Sequence, residues 1–313
     1  MEISRRFNII THLFWSWVGL AILLMAIPGA RAQDLEPRAY ANAPVGLNFL
    51  ISGYQYSEGG VAPDPAVPLE NAEIDVNSFV LGYARTLDVW DKSGKFSIVA
   101  PYACISGSAE LSGQPRARDI CGPADPRFGF TVNLFGAPAL DMKEFKSYQQ
   151  DLIVGVGLQV APPLGQYDPG KLLNVGTNRW SIEPEIGVSK RVGPLTLELA
   201  AAVNFYTNNN DYLNGQTLEQ EPIYSTQGHL IYNFKSGIWG ALDGTYYAGG
   251  RTSIDGVKGD TLQENTRVGA TLAIPVNRNH SIKLNASSGV ATRTGSDFDT
   301  AGVFWQYRWG GGL

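Results

Sequence analysis

Several things are scarce in these 313 residues, and each scarcity removes a class of protein. There are three histidines and two cysteines, too few for a cluster of zinc-type ligands, which combines several Cys, His or carboxylate groups. Charged residues make up only 17% of the chain and acids outnumber bases, so no basic footprint exists for phosphate backbones and nucleic acid is not a partner. Mean hydropathy is −0.10 with a single long apolar run, which excludes a polytopic helical membrane protein. Pairs such as Gly249-Gly250 and the run Gly310–Gly312 do not open a helix after a strand, so nucleotide binding is not supported and no cofactor is implied. What is abundant is glycine, 36 residues, with 11% aromatics, a composition that favours strands over helices.

The first 32 residues read as a secretory signal. Arg5 and Arg6 precede an apolar stretch from Ile9 to Ile27 that ends at Pro28 and the small-residue site Ala30-Arg31-Ala32. An uncleaved anchor is the alternative, since the stretch is long and holds Trp15 and Trp17. Cleavage removes Arg5, Arg6, Arg31 and Glu2 from 24 bases and 29 acids, leaving 21 and 28 and a formal charge of −7. Export also places Cys104 and Cys121 in an oxidising compartment. A bridge between them encloses sixteen residues and contributes about 3 kcal/mol on the chain-entropy account, with two free thiols as the alternative. The chain then divides into signal 1–32, a short N-terminal segment 33–43 and a barrel 44–313.

From Val45 onward the dominant period is two. Leu195, Leu197, Leu199, Ala201, Val203 and Phe205 share one parity, while Thr196, Glu198, Ala200, Ala202 and Asn204 share the other. Successive side chains of a strand point to opposite faces, so such a segment has an apolar side and a polar or small side. Twelve segments follow this rule, near 44–57, 73–88, 95–109, 126–136, 149–163, 179–192, 194–207, 221–235, 237–249, 262–275, 280–293 and 298–309. Long connections follow the first, third, fifth, seventh and ninth segments, and very short ones fall at Gly193-Pro194, Lys235–Gly237 and Asn277–Asn279. An even strand count with alternating short and long connections predicts an all-β, transmembrane, antiparallel up-and-down barrel of about twelve strands in the outer membrane of a Gram-negative cell.

Two connections differ from that rule. Residues 136–148 are long for the periplasmic side, and Asp141 with Glu144 three residues later predicts a short periplasmic helix near 139–148. The last outer connection, near Thr294–Ser296, is short. The acidic residues Asp64, Glu70, Glu73 and Asp75 have no regular Ca²⁺ ligand spacing and read as solvated loop charge, so no metal is assigned.

A soluble β-sandwich also alternates, and aromatic placement decides against it. Tyr54, Tyr56, Trp180, Phe205, Tyr206, Tyr246 and Tyr247 cluster near the long loops, and Trp90, Phe96, Phe234, Trp239, Tyr307 and Trp309 near the short turns, where a membrane barrel needs its girdles. The last segment, with Gly302, Trp305, Tyr307 and Trp309, resembles the closing strand that the outer-membrane assembly machinery recognises, although the chain ends in Leu313 rather than an aromatic residue.

Inward parity collects Arg127, Asn133, Glu183, Glu185, Glu198, Asn204, His229, Asp243, Arg267, Lys283, Gln306 and Arg308. Two uses fit this set. One is a structural ladder of paired charges that satisfies polar groups and constricts the tube. The other is a polar pathway that steers a small solute. His280-Ser281 with Asn285 supplies the residue types of an outer-membrane lipid hydrolase, but sequence neighbours on a strand diverge across the pleat, so no catalytic set is assigned.

Several stretches resemble an outer-membrane family known as "MetA-pathway of phenol degradation" proteins. They are Leu81-Gly-Tyr-Ala-Arg-Thr86, Asp125-Pro-Arg127 with Asn133-Leu-Phe-Gly-Ala-Pro138, and Gly165-Gln-Tyr-Asp-Pro169 with Gly176-Thr-Asn-Arg-Trp180. Gly228-His-Leu-Ile-Tyr232, Thr245-Tyr-Tyr247 through Gly249-Gly-Arg251, and Gln306-Tyr-Arg-Trp309 complete the set. The resemblance implies a non-enzymatic, transporter-like barrel that takes small hydrophobic or aromatic solutes from the cell's surroundings, with outer-membrane lipid as its surroundings. A sealed structural or surface-interaction barrel is the alternative reading.

Overall fold

Alternation of apolar with polar or small residues, broken by Gly, Pro and Asn at turns, makes most of the described residues strand. A computed structural model describes residues 36–62, 69–111, 114–213 and 215–313, so the expected signal at 1–32 lies outside the described residues. In chain order the strands are β1 (Leu47–Ala62), β2 (Leu69–Val89), β3 (Lys92–Leu111), β4 (Gln114–Pro123), β5 (Arg127–Phe135), β6 (Leu152–Ala161), β7 (Ser181–Val192) and β8 (Leu195–Tyr206). They continue as β9 (Asn209–Tyr212), β10 (Gln216–Gln220), β11 (Ile223–Asn233), β12 (Trp239–Gly249), β13 (Thr252–Ile254), β14 (Val257–Lys258), β15 (Gln263–Pro275), β16 (His280–Ala291) and β17 (Gly295–Gly310). Among the described residues one helix, α1 (Met142–Phe145), lies between β5 and β6.

The main sheet runs β2-β1-β17-β16-β15-β12-β11-β8-β7-β6-β5-β3-β4, and β2 also pairs with β3, so the antiparallel ladder closes on itself. β4 and β5 are two lengths of one stave, both paired with β3 and interrupted at 124–126, which makes twelve staves in all. The expected short helix forms at α1, where Asp141 caps Glu144 N–H at 2.7 Å and the Glu144 side chain answers to the Asp141 N–H at 3.1 Å. Gly193 takes φ +60° in the tight β7–β8 turn, a conformation that suits glycine.

Outward residues are apolar. Leu81, Leu197, Leu199 and Leu242 are all more than half exposed, which in a barrel means contact with lipid. At the end carrying the short turns, His280, Trp305, Tyr307 and Trp309 stack in a row on the outer face, with ring centroids 4.9 to 6.2 Å apart, and Tyr83 adjoins Trp309 at 6.3 Å. These amphipathic rings form an interfacial girdle. Three aromatics assigned to girdles from the sequence belong elsewhere. Tyr206 pairs across from Ser181, Tyr247 from Ser225 and Trp239 from Asn233, all on the lumen side. Position along a strand gives the depth of a ring; only parity gives its side.

Four outer connections also differ from expectation. The segment after β3 is no loop, because β4 folds straight back along β3 and puts Cys104 directly opposite Cys121, where the two are joined by a disulfide. β2 begins at Leu69, so Glu70, Glu73 and Asp75 lie on a strand, and Asp64 falls outside the described residues. The connections after β8 and β12 contain a second small sheet, β14-β13-β10-β9. Short polar strands of two to five residues carry little periodicity and are not visible in the sequence pattern.

Candidate functional site

The lumen side of the ladder has two unlike sectors. In one, Glu183 and Glu185 of β7 face in beside Gln159 and Gly157 of β6, and Glu198 of β8 lies between Ser189 and His229. His229 in turn is opposite Asp243 of β12. Side chains link along this row: Ser189 donates to Glu198 at 2.9 Å, His229 Nδ1 meets Asp243 at 2.8 Å, and Thr271 donates to the other Asp243 oxygen at 2.9 Å. Asn204 donates to Glu183 at 2.9 Å. Arg267 donates through Nε to Ser287 at 2.9 Å and through Nη2 to Thr300 at 2.8 Å. Buried polar atoms are thereby partnered across neighbouring strands, which makes this wall rigid.

The other sector is apolar. The registers of β1, β2, β3 and β17 turn Phe49, Ile51, Val76, Val80, Val99 and Ile105 inward, and Phe304 lies over Gly53. An all-round inward set of charges is therefore incorrect for this barrel. β2 has valine and isoleucine on its inner parity and phenylalanine and leucine on its outer one, so alternation is weak there and its inner face is hidden in the sequence. Among the inward candidates on this side, Lys283 stands 5.5 Å above the Phe304 ring, Gln306 is opposite Ile51, and Arg308 donates to the Arg278 carbonyl at 2.6 Å beside a periplasmic turn.

The N-terminal segment before β1 enters this lumen. Arg38 N–H donates to Glu198 at 2.7 Å and its guanidinium lies 5.2 Å from the Trp239 ring. Lys95 of β3 donates to the Ala39 carbonyl at 3.3 Å, and Asn133 of β5 to the Tyr40 carbonyl at 3.1 Å. The Tyr40 hydroxyl donates to Glu185, and its ring is 2% exposed. Anchors on β3, β5, β7, β8 and β12 carry the segment across the tube. It leaves past the α1 connection, where Val45 N–H reaches Leu140 O at 2.9 Å and Asn42 reaches Pro138 O at 3.1 Å.

Above the segment lies a cavity of about 760 Å³, bounded by Tyr40, Lys95, Arg127, Glu183, Glu185 and Glu198 among others. Its outer rim is tied by loop residues. Arg179 packs 4.6 Å over Tyr206 and bonds to Gln220, while Asp125 accepts from Gly165 N–H at 2.7 Å and from Thr177 N–H at 2.8 Å. Beyond Arg127, β4 is paired with β3 alone, and the wall beside it is completed by residues 162–180, with Gln166 N–H on Pro123 O at 2.8 Å and Arg118 3.6 Å from Asp168.

The hydrolase-type residues are not brought together. His280 faces outward, with Trp305 Nε1 donating to its Nδ1 at 3.1 Å, while Ser281 and Asn285 face inward. Sequence reading missed the N-terminal segment as part of the site. Its trace was the inward row Gly155, Gly187 and Ala200, small residues on the polar wall for which lipid contact gives no reason.

A closed twelve-stave barrel with a lipid-facing apolar belt and an occupied, partly open lumen is the architecture of outer-membrane channels. Over residues 55–307 the chain matches the family described as "Putative MetA-pathway of phenol degradation", and it belongs to that family. Its fold is similar to the COG4313 outer membrane channel from Pseudomonas putida F1, at 20% identity and TM-score 0.75, over 88% of this chain and 100% of that one. The transport unit of the autotransporter AIDA-I from Escherichia coli is similar at 10% identity and TM-score 0.53, over 88% of this chain and 93% of that one. No protein of curated function matches the chain in sequence.

Proposed function

We infer that this barrel mediates passive uptake of small hydrophobic or aromatic, phenol-like compounds across the outer membrane, after export by the N-terminal signal. The observation that carries this reading is the lumen's division into an apolar stretch on β1, β2 and the outer part of β3 and a hydrogen-bonding wall on β6 to β15, with a cavity of about 760 Å³ bounded by the polar wall together with Val99 and Pro101 of β3. An amphipathic solute can lay its ring on the first and its polar group on the second, the combination that small-molecule sites use. Arg127, Glu183, Glu185, Glu198, His229, Asp243, Arg267, Lys283, Gln306 and Arg308 are the lumen residues proposed to steer it. Movement follows the solute gradient, through the lumen or through the wall beside β4. β17, with Trp305, Tyr307 and Trp309 stacked on its outer face and Gly302 on its inner one, is proposed as the strand the assembly machinery reads.

Uptake of ring-labelled phenol and toluene by deletion and complemented strains tests the proposal. Faster uptake in the complemented strain is expected, and equal uptake rejects it. The segment that crosses the lumen favours a second reading, a sealed structural or surface barrel. No swelling of liposomes with any sugar, amino acid or aromatic acid, and no bilayer conductance, would establish that reading instead.

A further inference from the structure

Tyr40 is a para-alkylphenol held in the barrel wall. Its ring lies on Gly155 and Gly187, which face one another across β6 and β7, and a Cβ at either position would overlap the ring. Ile153, Ala137 and Ala200 pack around it, and Glu185 accepts a hydrogen bond from its hydroxyl. An apolar floor with one acceptor at the end of the ring is the chemistry that recognises a phenol. Strand pairing gives no reason for it. Glycine weakens a strand interior, and two glycines directly opposed forgo a stabilising cross-strand pair, so the slot is explained by the ring that lies in it.

The geometry points to a phenol-binding subsite at Gly155, Gly187, Ile153 and Glu185, with Tyr40 as its resident intramolecular ligand that a phenolic solute displaces. The cavity reaches both Tyr40 and Glu185, so a solute there stands next to the slot. A tethered competitor acts at millimolar effective concentration. Exchange therefore responds to solute concentration instead of trapping the first molecule that arrives. When the ring leaves, the bonds from Lys95 to the Ala39 carbonyl and from Arg38 N–H to Glu198 still hold the segment as a hinge. This inference rests on the uptake reading and names the solute class and the gate.

The test uses the full mature chain, folded in detergent micelles and in planar bilayers, with 4-methylphenol as probe and 4-methylanisole as a match lacking the O–H donor. Heat-modifiable gel mobility reports that each variant has folded. Tyr40→Ala should bind 4-methylphenol saturably and about tenfold more tightly than 4-methylanisole, the ratio for one hydrogen bond to a carboxylate. Gly187→Leu added to that variant should abolish the binding. In bilayers 4-methylphenol should raise wild-type conductance, with Tyr40→Phe intermediate between wild type and Tyr40→Ala. Equal binding of the two probes, or binding unchanged by Gly187→Leu, overturns the subsite. Undiminished phenol uptake through the Tyr40→Ala/Gly187→Leu barrel also overturns it and leaves the uptake reading standing. Selective binding without uptake supports the subsite and removes the uptake reading.

Discussion

Strands β7, β8, β11 and β12 turn carboxylates and an imidazole into the lumen, whereas β1, β2 and the outer part of β3 turn valine, isoleucine and phenylalanine the same way. Both sectors have the same lipid-facing exterior, so the membrane cannot be the cause of the difference. The cause lies inside the tube. The polar sector is where the N-terminal segment is seated, and its two most deeply buried carboxylates have donors: Ser189 and Arg38 N–H for Glu198, His229 and Thr271 for Asp243. The apolar sector receives Leu173 from the outer connection against Gly107 and Ile74, and otherwise lines the tube. One wall holds a piece of the chain and the other is left smooth.

Damage to the two walls should differ most in stability. His229→Leu leaves the Asp243 carboxylate, whose side chain is 1% exposed, without its imidazole partner. Leaving a buried carboxylate short of a hydrogen-bond donor costs about 3 kcal/mol or more. Ile51→Val on the opposite wall removes one methylene from a half-buried side chain and should cost less than about 1 kcal/mol. Urea unfolding in detergent micelles compares the two. Equal losses would mean that the hydrogen-bonded row is not what holds the polar wall.

The disulfide comes next in size. It lies on the outer face of the β3–β4 extension, beyond the point where β4 has any other strand beside it. Cys104→Ser with Cys121→Ser releases a loop of seventeen residues from the unfolded chain's constraint, worth about 3 kcal/mol on the entropy account. Unfolding of the oxidised and reduced barrels measures it. Proteolysis under reducing conditions should begin in 105–125 and spare the seat of the N-terminal segment.

Much of this was legible because a two-residue period is a strong signal over ten residues. The alternation at 195–206 gives β8 and both of its faces, and the Asp141–Glu144 spacing gives the cap of α1, although the helix is shorter by three residues at each end than the expected 139–148. Legibility failed where the period carries no contrast. β2 is apolar on both parities, so its inner wall was invisible, and the β3–β4 turn looked like a loop because glycine, serine and charge occupy both faces of the extension. Tyr40 failed for a different reason. Residues 36–46 form no regular element, and their meaning lies in contacts with residues more than ninety positions away, such as Asn133 and Glu185. The carboxylates were identifiable as inward; that one of them receives a phenol hydroxyl was not.

The smallest effect sharpens the contrast most. Val80 faces inward opposite Gly53 and Pro101, and threonine has nearly its shape with a hydroxyl in place of a methyl. Val80 is only half-buried on the lumen side, where the new hydroxyl can find water, so Val80→Thr should leave unfolding nearly unchanged. It should nevertheless alter what slides along the wall. A hydroxyl holds water that an aromatic ring must displace, at a cost of about 0.5–2 kcal/mol in media that allow partial compensation. Uptake of toluene should fall about two- to threefold, at the low end of that range, while phenol, which can bond to the hydroxyl, falls less. A toluene-to-phenol uptake ratio that stays fixed in the variant would show that solutes do not touch β2, and the route would then follow the polar wall alone.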